Sequence, residues 1–143
     1  RIHHTDIFST ILGAANIEPP KEITIDGVNL IPFLTNEKRG EPHETLYWKN
    51  VTYQAIIHDN WKLMRSKYPK KKEYLYNLGK DPYEQNNLAM SEPKIKSLLH
   101  EKLNIHIESM PEPSWPQSVF MPVVVDKPQT EYKEGDELIY WPN

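Results

Sequence analysis

Three consecutive polar residues, His58, Asp59 and Asn60, lie between two segments with strand-like composition. An imidazole beside a carboxylate can transfer protons, and this pairing is common in acid–base catalysis. The same residue types also suit a tight turn, because Asp and Asn side chains bond to their own backbone there. We favour the turn interpretation. The functional alternative places these three residues at the rim of a substrate site.

A metal site is the second chemistry to consider, because His3, His4 and Asp6 lie close together near the start of the chain. Adjacent histidines usually diverge, and no third ligand follows at a suitable spacing. A helix over residues 5–16 explains Asp6 better, with Asp6 or Thr5 as its cap. We predict no metal site here, nor at the two histidines of a later helix.

A cationic cluster follows the third strand-like segment and comprises Arg65, Lys67, Lys70, Lys71 and Lys72. The favoured interpretation is a solvated hairpin tip that discourages association through a strand edge. A sulfated polymer would also be attracted to such a cluster. Nearby aromatic residues could stack on sugars, but they more often form half the core of a small sheet.

Composition narrows the class of protein. The chain has 143 residues, the size of one domain, with 13 prolines and 38% hydrophobic residues. A net charge of -3 gives no global attraction to nucleic acid or anionic membranes. No apolar run approaches the roughly 20 residues of a membrane span, and no signal peptide is visible. With no cysteines, disulfides and cysteine nucleophiles are excluded.

Hydrophobic periodicity predicts an α+β fold. Four antiparallel strands are expected, and one face of their sheet packs on a long helix at residues 91–110. A short helical turn is expected within an apolar cluster at residues 28–34. The proline-rich remainder reads as an extended arm, in which Val123–Val125 could pair with a sheet edge. The four expected strands cover residues 45–49, 51–57, 61–66 and 73–77.

Four stretches resemble segments of the sulfatase family in order and spacing. The run HTDIFST at residues 4–10 resembles HxDxxPT, with Ser9 in place of Pro, and DGVNLIPFL at 26–34 resembles DGxxLxPxL. The stretch 55–63, which ends in NWKL, resembles the family's xxxxWKL strand pair. YLYNLGKDPYEQNNLA at 74–89 resembles LYDL…DPxExxNLA. The ending at 134–143 is similar to that of some arylsulfatase-like members. Because the chain begins inside the first motif, we expect it to be truncated.

The resemblance implies three parts. Residues 1–43 would be the end of an alkaline-phosphatase-like α/β catalytic domain, with the first helix as its remnant. Residues 44–110 would be the C-terminal subdomain with its sheet and helix, and residues 111–143 the extended arm. This makes the chain the C-terminal portion of a sulfuric ester hydrolase that acts on sulfated carbohydrate or aryl sulfate.

Family chemistry requires groups that this sequence lacks. Sulfatases convert a Cys or Ser of a C/S-x-P-S-R motif to formylglycine and bind calcium, and no such motif occurs here. The resemblance therefore implies an inactive, pocket-completing portion that needs an N-terminal catalytic domain as its partner and has no catalytic or metal residues of its own. It implies a periplasmic or secreted location. The apolar residues of the first helix, which would pack on the catalytic domain, could cause self-association in its absence. The alternative is a stand-alone module that binds carbohydrate or protein without catalysis.

Overall fold

The computed structural model describes residues 1–50, 53–66, 71–111, 123–125, 133 and 140–142, with the backbone alone at 123–125 and 140–142. The chain divides into two compact units, Arg1–Leu46 and Tyr47–Asn143. Within the described residues of the two units, three helices and six strands are formed.

The first unit begins with helix α1, Asp6–Ala14. Its carboxyl end is closed by Asn16, which adopts a φ of 53°. The N–H of Ile17 donates to the carbonyl of Leu12, as in the common left-handed helix ending. Asn16 was predicted as the stop, and its tolerance of positive φ explains why the helix ends there.

Helix α2, Ile31–Leu34, is the single helical turn expected from the DGVNLIPFL run. Pro32 occupies the first turn, where its missing N–H has no cost. No residue of α2 is fully buried, and Leu34 at its end is 75% exposed. The apolar pattern predicted the helix correctly, and Ile31, Pro32 and Phe33 are half-buried.

A four-stranded meander starts at the junction of the two units, with strands in sequential order. β2 pairs with β3 and β3 with β4 in antiparallel register. Asp59 and Asn60 connect β2 to β3, as predicted. The strands are β1 Thr45–Lys49, β2 Tyr53–His58, β3 Trp61–Ser66 and β4 Lys72–Asn77.

Helix α3, Pro93–Ser109, covers one face of this sheet. Ile56, Leu63 and Leu75 are aligned across β2, β3 and β4. They form one buried cluster with Leu99 and Leu103 of α3. This confirms the predicted packing of the helix on the sheet, and Leu63 and Leu99 share one core. The helical periodicity also places Leu98 on the apolar face of α3, but it is 44% exposed.

Beside this core, a polar row crosses the same face. Gln54, Arg65 and Glu73 are aligned across the three strands. Arg65 donates to Gln54 Oε1 at 2.6 Å and to Asn104 Oδ1 of α3 at 2.8 Å, and its NH1 lies 3.2 Å from Nδ1 of His100. His100 Nε2 lies 2.9 Å from Glu73 Oε1. The row therefore bonds the helix to the sheet.

The last two strands, β5 Val123–Val125 and β6 Tyr140–Pro142, pair with each other in an antiparallel ribbon. The expectation that Val123–Val125 joins an edge of the larger sheet is wrong, because the ribbon forms a separate two-stranded sheet. The rest of the predicted arm, and the tip of the cationic cluster at 67–70, lie outside the described residues.

Candidate functional site

The predicted rim residues lie at the tip of the β2–β3 hairpin. Asp59 is 74% exposed at its side chain and has a φ of 48°, a conformation that Asp tolerates better than most residues. His58 is only 12% exposed at its side chain, and its Nε2 lies 3.7 Å from Asp59 Oδ2. That separation is too long for a hydrogen bond. The structure brings the residues together as a turn, with the Asp59 carboxylate directed to solvent.

A second turn lies against this hairpin tip. The N–H of Leu78, which follows β4, donates to the carbonyl of Asn60 at 2.7 Å. A Cβ on Gly79 would lie 3.1 Å from the Asn60 amide, so the two turns are in close contact. Lys62 at the start of β3 contacts Glu84 Oε1 at 2.6 Å. The hairpin tip is thus held by the segment that carries the DPYEQNN run.

Asp81 organises that segment. Its side-chain oxygens accept hydrogen bonds from the N–H groups of Gln85 at 3.1 Å and Asn86 at 2.7 Å. These backbone bonds, that of Asn86 first, hold the pKa of Asp81 below its ordinary value. Glu84 adopts a φ of 57° within the same loop. The Asp of the motif therefore closes a turn.

Asn87, the Asn of the same motif, bonds to the backbone of β4. Asn87 accepts the N–H of Leu75 at 3.0 Å and donates its amide to the carbonyl of Glu73 at 3.1 Å. Leu88 then donates its N–H to the carbonyl of Leu75 at 2.7 Å. β4 is the last strand of the sheet, so its outer backbone groups need partners. The NLA segment supplies them, a role that the sequence patterns did not indicate.

The first unit contains a buried carboxylate, Asp6, with no exposed surface. Its oxygens accept the N–H groups of His3 at 2.7 Å and Val28 at 2.9 Å, and Nε2–H of His43 at 2.7 Å. Burial acts to raise the pKa of Asp6, but these hydrogen bonds outweigh it and leave the pKa below its ordinary value. His43 lies 37 residues away and was missed because no local pattern links the two.

The helix-cap prediction for Asp6 or Thr5 is wrong in detail. Thr5 occupies the cap position without a side-chain bond to the helix, and Asp6 bonds to the N–H of His3 upstream of it. Asp6 does have a structural role, as predicted, but its carboxylate joins the segments of His3, Val28 and His43. Gly27 fits the same junction, because a Cβ there would lie 2.1 Å from the carbonyl oxygen of Thr5.

Among the described residues, no group of three His, Asp or Glu side chains is arranged to hold a metal ion. The rings of His3 and His4 stay within 4.2 Å of each other, contrary to the expected divergence. The oxygens of Asp6 accept hydrogen bonds from the three donors described above. His100 bonds to Glu73, and the ring of His106 stacks on Tyr47 at 3.8 Å. In the described part, no helix has the length and apolar character to cross a membrane.

Comparison with known families gives one match that spans the first unit and continues into the second as far as residue 110. Residues 1–110 match the family model described as "N-sulphoglucosamine sulphohydrolase, C-terminal". Over 43 residues the chain is 49% identical to the uncharacterized sulfatase YdeN of Escherichia coli strain K12, a match that covers 30% of this chain and 8% of that protein.

Solved structures share the fold. One is a protein in complex with its substrate D-glucosamine-2-N,6-O-disulfate, with a TM-score of 0.58 and 22% identity over 72% of this chain and 23% of that one. Another is the phosphonate monoester hydrolase of Agrobacterium radiobacter, with a TM-score of 0.53 and 20% identity over 73% of this chain and 25% of that one. The chain therefore spans about a quarter of each. At these identities the likeness shows the fold alone.

Proposed function

This chain belongs to the N-sulphoglucosamine sulphohydrolase C-terminal family, and on that premise we propose that it is the C-terminal part of a sulfatase. The family match over residues 1–110 carries the proposal, because it includes all three helices and the whole meander. The nucleophile and the calcium ligands that the sulfatase resemblance implies belong to sequence outside this chain. The chain's own contribution is to stabilise the catalytic domain and to complete the wall of its pocket.

The substrate class that we propose is a sulfated carbohydrate. The family description refers to a sulfated glucosamine, and one similar structure holds a glucosamine disulfate as its substrate. Because a phosphonate monoester hydrolase has a similar fold, the preference for sulfate over phosphonate esters must be measured. By analogy with the family, the longer protein is periplasmic or secreted.

We assign the pocket-completing role to the hairpin tip at His58, Asp59 and Asn60. Support comes from the exposure of Asp59 and from the second turn that fixes the tip through the carbonyl of Asn60. A rigid carboxylate acceptor suits a sugar hydroxyl better than a sulfate, which it would repel. The His58 side chain is largely buried, so Asp59 rather than His58 is the residue that can reach a ligand.

The division into 1–43, 44–110 and 111–143 is also part of the proposal. In the first unit, Ile7, Phe8 and Ile11 of α1 are between 50% and 61% exposed. Beside α1 lies a cleft of about 550 Å³ lined in part by Leu12 and Ile17. Exposed apolar surface of this kind marks an interface. We assign it to the absent part of the catalytic domain; in its absence, self-association would cover the same surface.

The test begins with the reading frame upstream of Arg1, which should encode C/S-x-P-S-R. The longer protein should release sulfate from a sulfated glucosamine, with phosphonate and phosphate monoesters as comparison substrates. The 143-residue chain alone should show no turnover with calcium present. In the longer protein, Asp59→Ala should raise KM for the sugar with little change in kcat, whereas Asp26→Ala should leave both unchanged. A frame without the motif, or turnover by the short chain, contradicts the proposal.

A further inference from the structure

A groove of about 360 Å³ lies on the meander at the end remote from the 58–60 turn. The chain reverses at that end between β1 and β2 and again between β3 and β4. Trp48, Lys49, Asn50 and Tyr53 line the groove together with Gln54, Ala55 and Met64. Its volume is within the usual range for small-ligand sites.

The two aromatic rings belong to the sheet face opposite α3. Tyr47 packs against the core and stacks on His106 of α3, so strand alternation directs Trp48 to the other face. Ile56 is in the core, and the same alternation directs Tyr53 outward. Trp48 is 38% exposed and Tyr53 is 41% exposed. Both rings thus offer apolar surface to solvent on one side of the sheet.

The turn holds Tyr53 in place. Its N–H donates to Asn50 Oδ1 at 2.6 Å, and the N–H of Asn50 donates to the carbonyl of Tyr53 at 2.9 Å. These bonds hold the backbone of Tyr53, so less conformational freedom is lost there when a ligand stacks on its ring.

The charged residue that lines the described part of the groove is basic, although the chain as a whole has a net charge of -3. Lys49 lines the groove, and no acidic residue is among the described residues that line it. Tyr53 pairs with Ser66, which pairs with Lys72, so Lys72 lies two strands from Tyr53. That is roughly 10 Å across the sheet. Lys71 and Lys72 are both exposed.

We propose that this groove is an accessory binding site for a sulfated polysaccharide. The ring of Tyr53, beside Trp48, stacks on the C–H face of one sugar. The positive charges of Lys49, which lines the groove, and of Lys72 attract the sulfates of the polymer. The choice of a sulfated polymer rests on the proposed function, whereas the stacking and cationic geometry rest on the groove. Such a site holds the polymer at the end of the sheet away from the hairpin tip assigned to the pocket.

The experiment measures binding of dextran sulfate, dextran and polyphosphate to the 143-residue chain by calorimetry at several salt concentrations. We expect dextran sulfate to bind more tightly than either comparison polymer, because only it offers both sugar rings and sulfates. Tyr53→Ala and the double variant Lys49→Ala/Lys72→Ala should each weaken binding about tenfold or more. The lysine variant should also flatten the salt dependence.

Tyr83→Ala and Lys94→Ala serve as matched controls, since both residues are exposed and neither lines the groove. Equal loss in site and control variants would show a diffuse charge effect and overturn the proposal. Equal binding of polyphosphate, or no binding of dextran sulfate, would also overturn it. So would a lowered unfolding temperature for Tyr53→Ala, which would show that the ring is a packing residue.

A parallel measurement separates this inference from the sulfatase assignment. In the longer protein, turnover of a small aryl sulfate tests the assignment, and KM for a sulfated polymer in the groove variants tests the site. If the longer protein without substitutions does not turn over the small aryl sulfate, the sulfatase assignment is rejected and the binding result is unaffected. An unchanged polymer KM in the groove variants rejects the site and leaves the assignment standing.

Discussion

The side chain of Asn87 acts as a backbone partner for Leu75, whose N–H it accepts at 3.0 Å on the outer edge of β4. Replacement by Ala removes this acceptor, a second bond to the N–H of Ala89 and a donor to the carbonyl of Glu73. We expect Asn87→Ala to lower the free energy of unfolding by about 1–2 kcal/mol and to speed exchange of the Leu75 amide. Urea denaturation and hydrogen exchange measure the two effects.

The neighbouring Asn86 provides the control for that prediction. Its side chain is exposed, and its amide reaches only Asp81 at 3.5 Å. Asn86→Ala should therefore change stability by less than about 0.5 kcal/mol. If both variants behaved alike, the edge-covering role of Asn87 would be wrong.

Leu99 is 1% exposed and belongs to the cluster that contains Leu63. Leu99→Ala should cost about 2–5 kcal/mol, because it removes buried methyl groups and leaves a cavity between α3 and the sheet. Leu98→Ala, at the adjacent and 44% exposed position, should cost much less. Thermal and urea unfolding of the two variants compare them directly. Similar losses would contradict the placement of α3.

Asp6 makes the first unit sensitive to acid. Since the pKa of Asp6 is lower in the folded state than its ordinary value of 3.8, the folded state loses an advantage when the carboxylate is protonated. The stabilisation is complete above the unfolded pKa and disappears as pH falls through the folded pKa. We expect Asp6→Asn to cost about 2 kcal/mol at pH 7 and to reduce the loss of stability below pH about 4. Unfolding curves between pH 7 and pH 3 test this; parallel curves for both proteins would count against it.

Gly27 tests the junction between α1 and the DGVNLIPFL run. A Cβ would lie 2.1 Å from a backbone oxygen of Thr5, which can give way only if the chain shifts. Gly27→Ala should therefore destabilise by about 1–3 kcal/mol. In Gly79→Ala the nearest atom is the Asn60 amide, at 3.1 Å on a side chain that can rotate, and a smaller cost is expected. Melting temperatures rank the two; the reverse order would refute the close approach.

Alternation and turn chemistry predicted the meander, because each strand contacts a neighbour that is adjacent in sequence. The helix over the sheet followed from the spacing of Ile95, Leu99 and Leu103. The bond between Asp6 and His43 could not be predicted this way, since it joins residues far apart that share no periodic pattern. Of the rim residues, the turn was predictable from Asp59–Asn60 alone. The burial of His58 was not, because it depends on what packs around the hairpin.

The sequential strand order has a consequence for synthesis. Each hairpin of the meander brings together residues that leave the ribosome within a few seconds of one another, so β2, β3 and β4 can pair while the chain is still growing. Local pairing of this kind has a low entropic barrier. The nascent sheet must nevertheless expose Ile56, Leu63 and Leu75 until α3 emerges. The sheet is therefore stabilised only when α3 leaves the exit tunnel and covers these side chains.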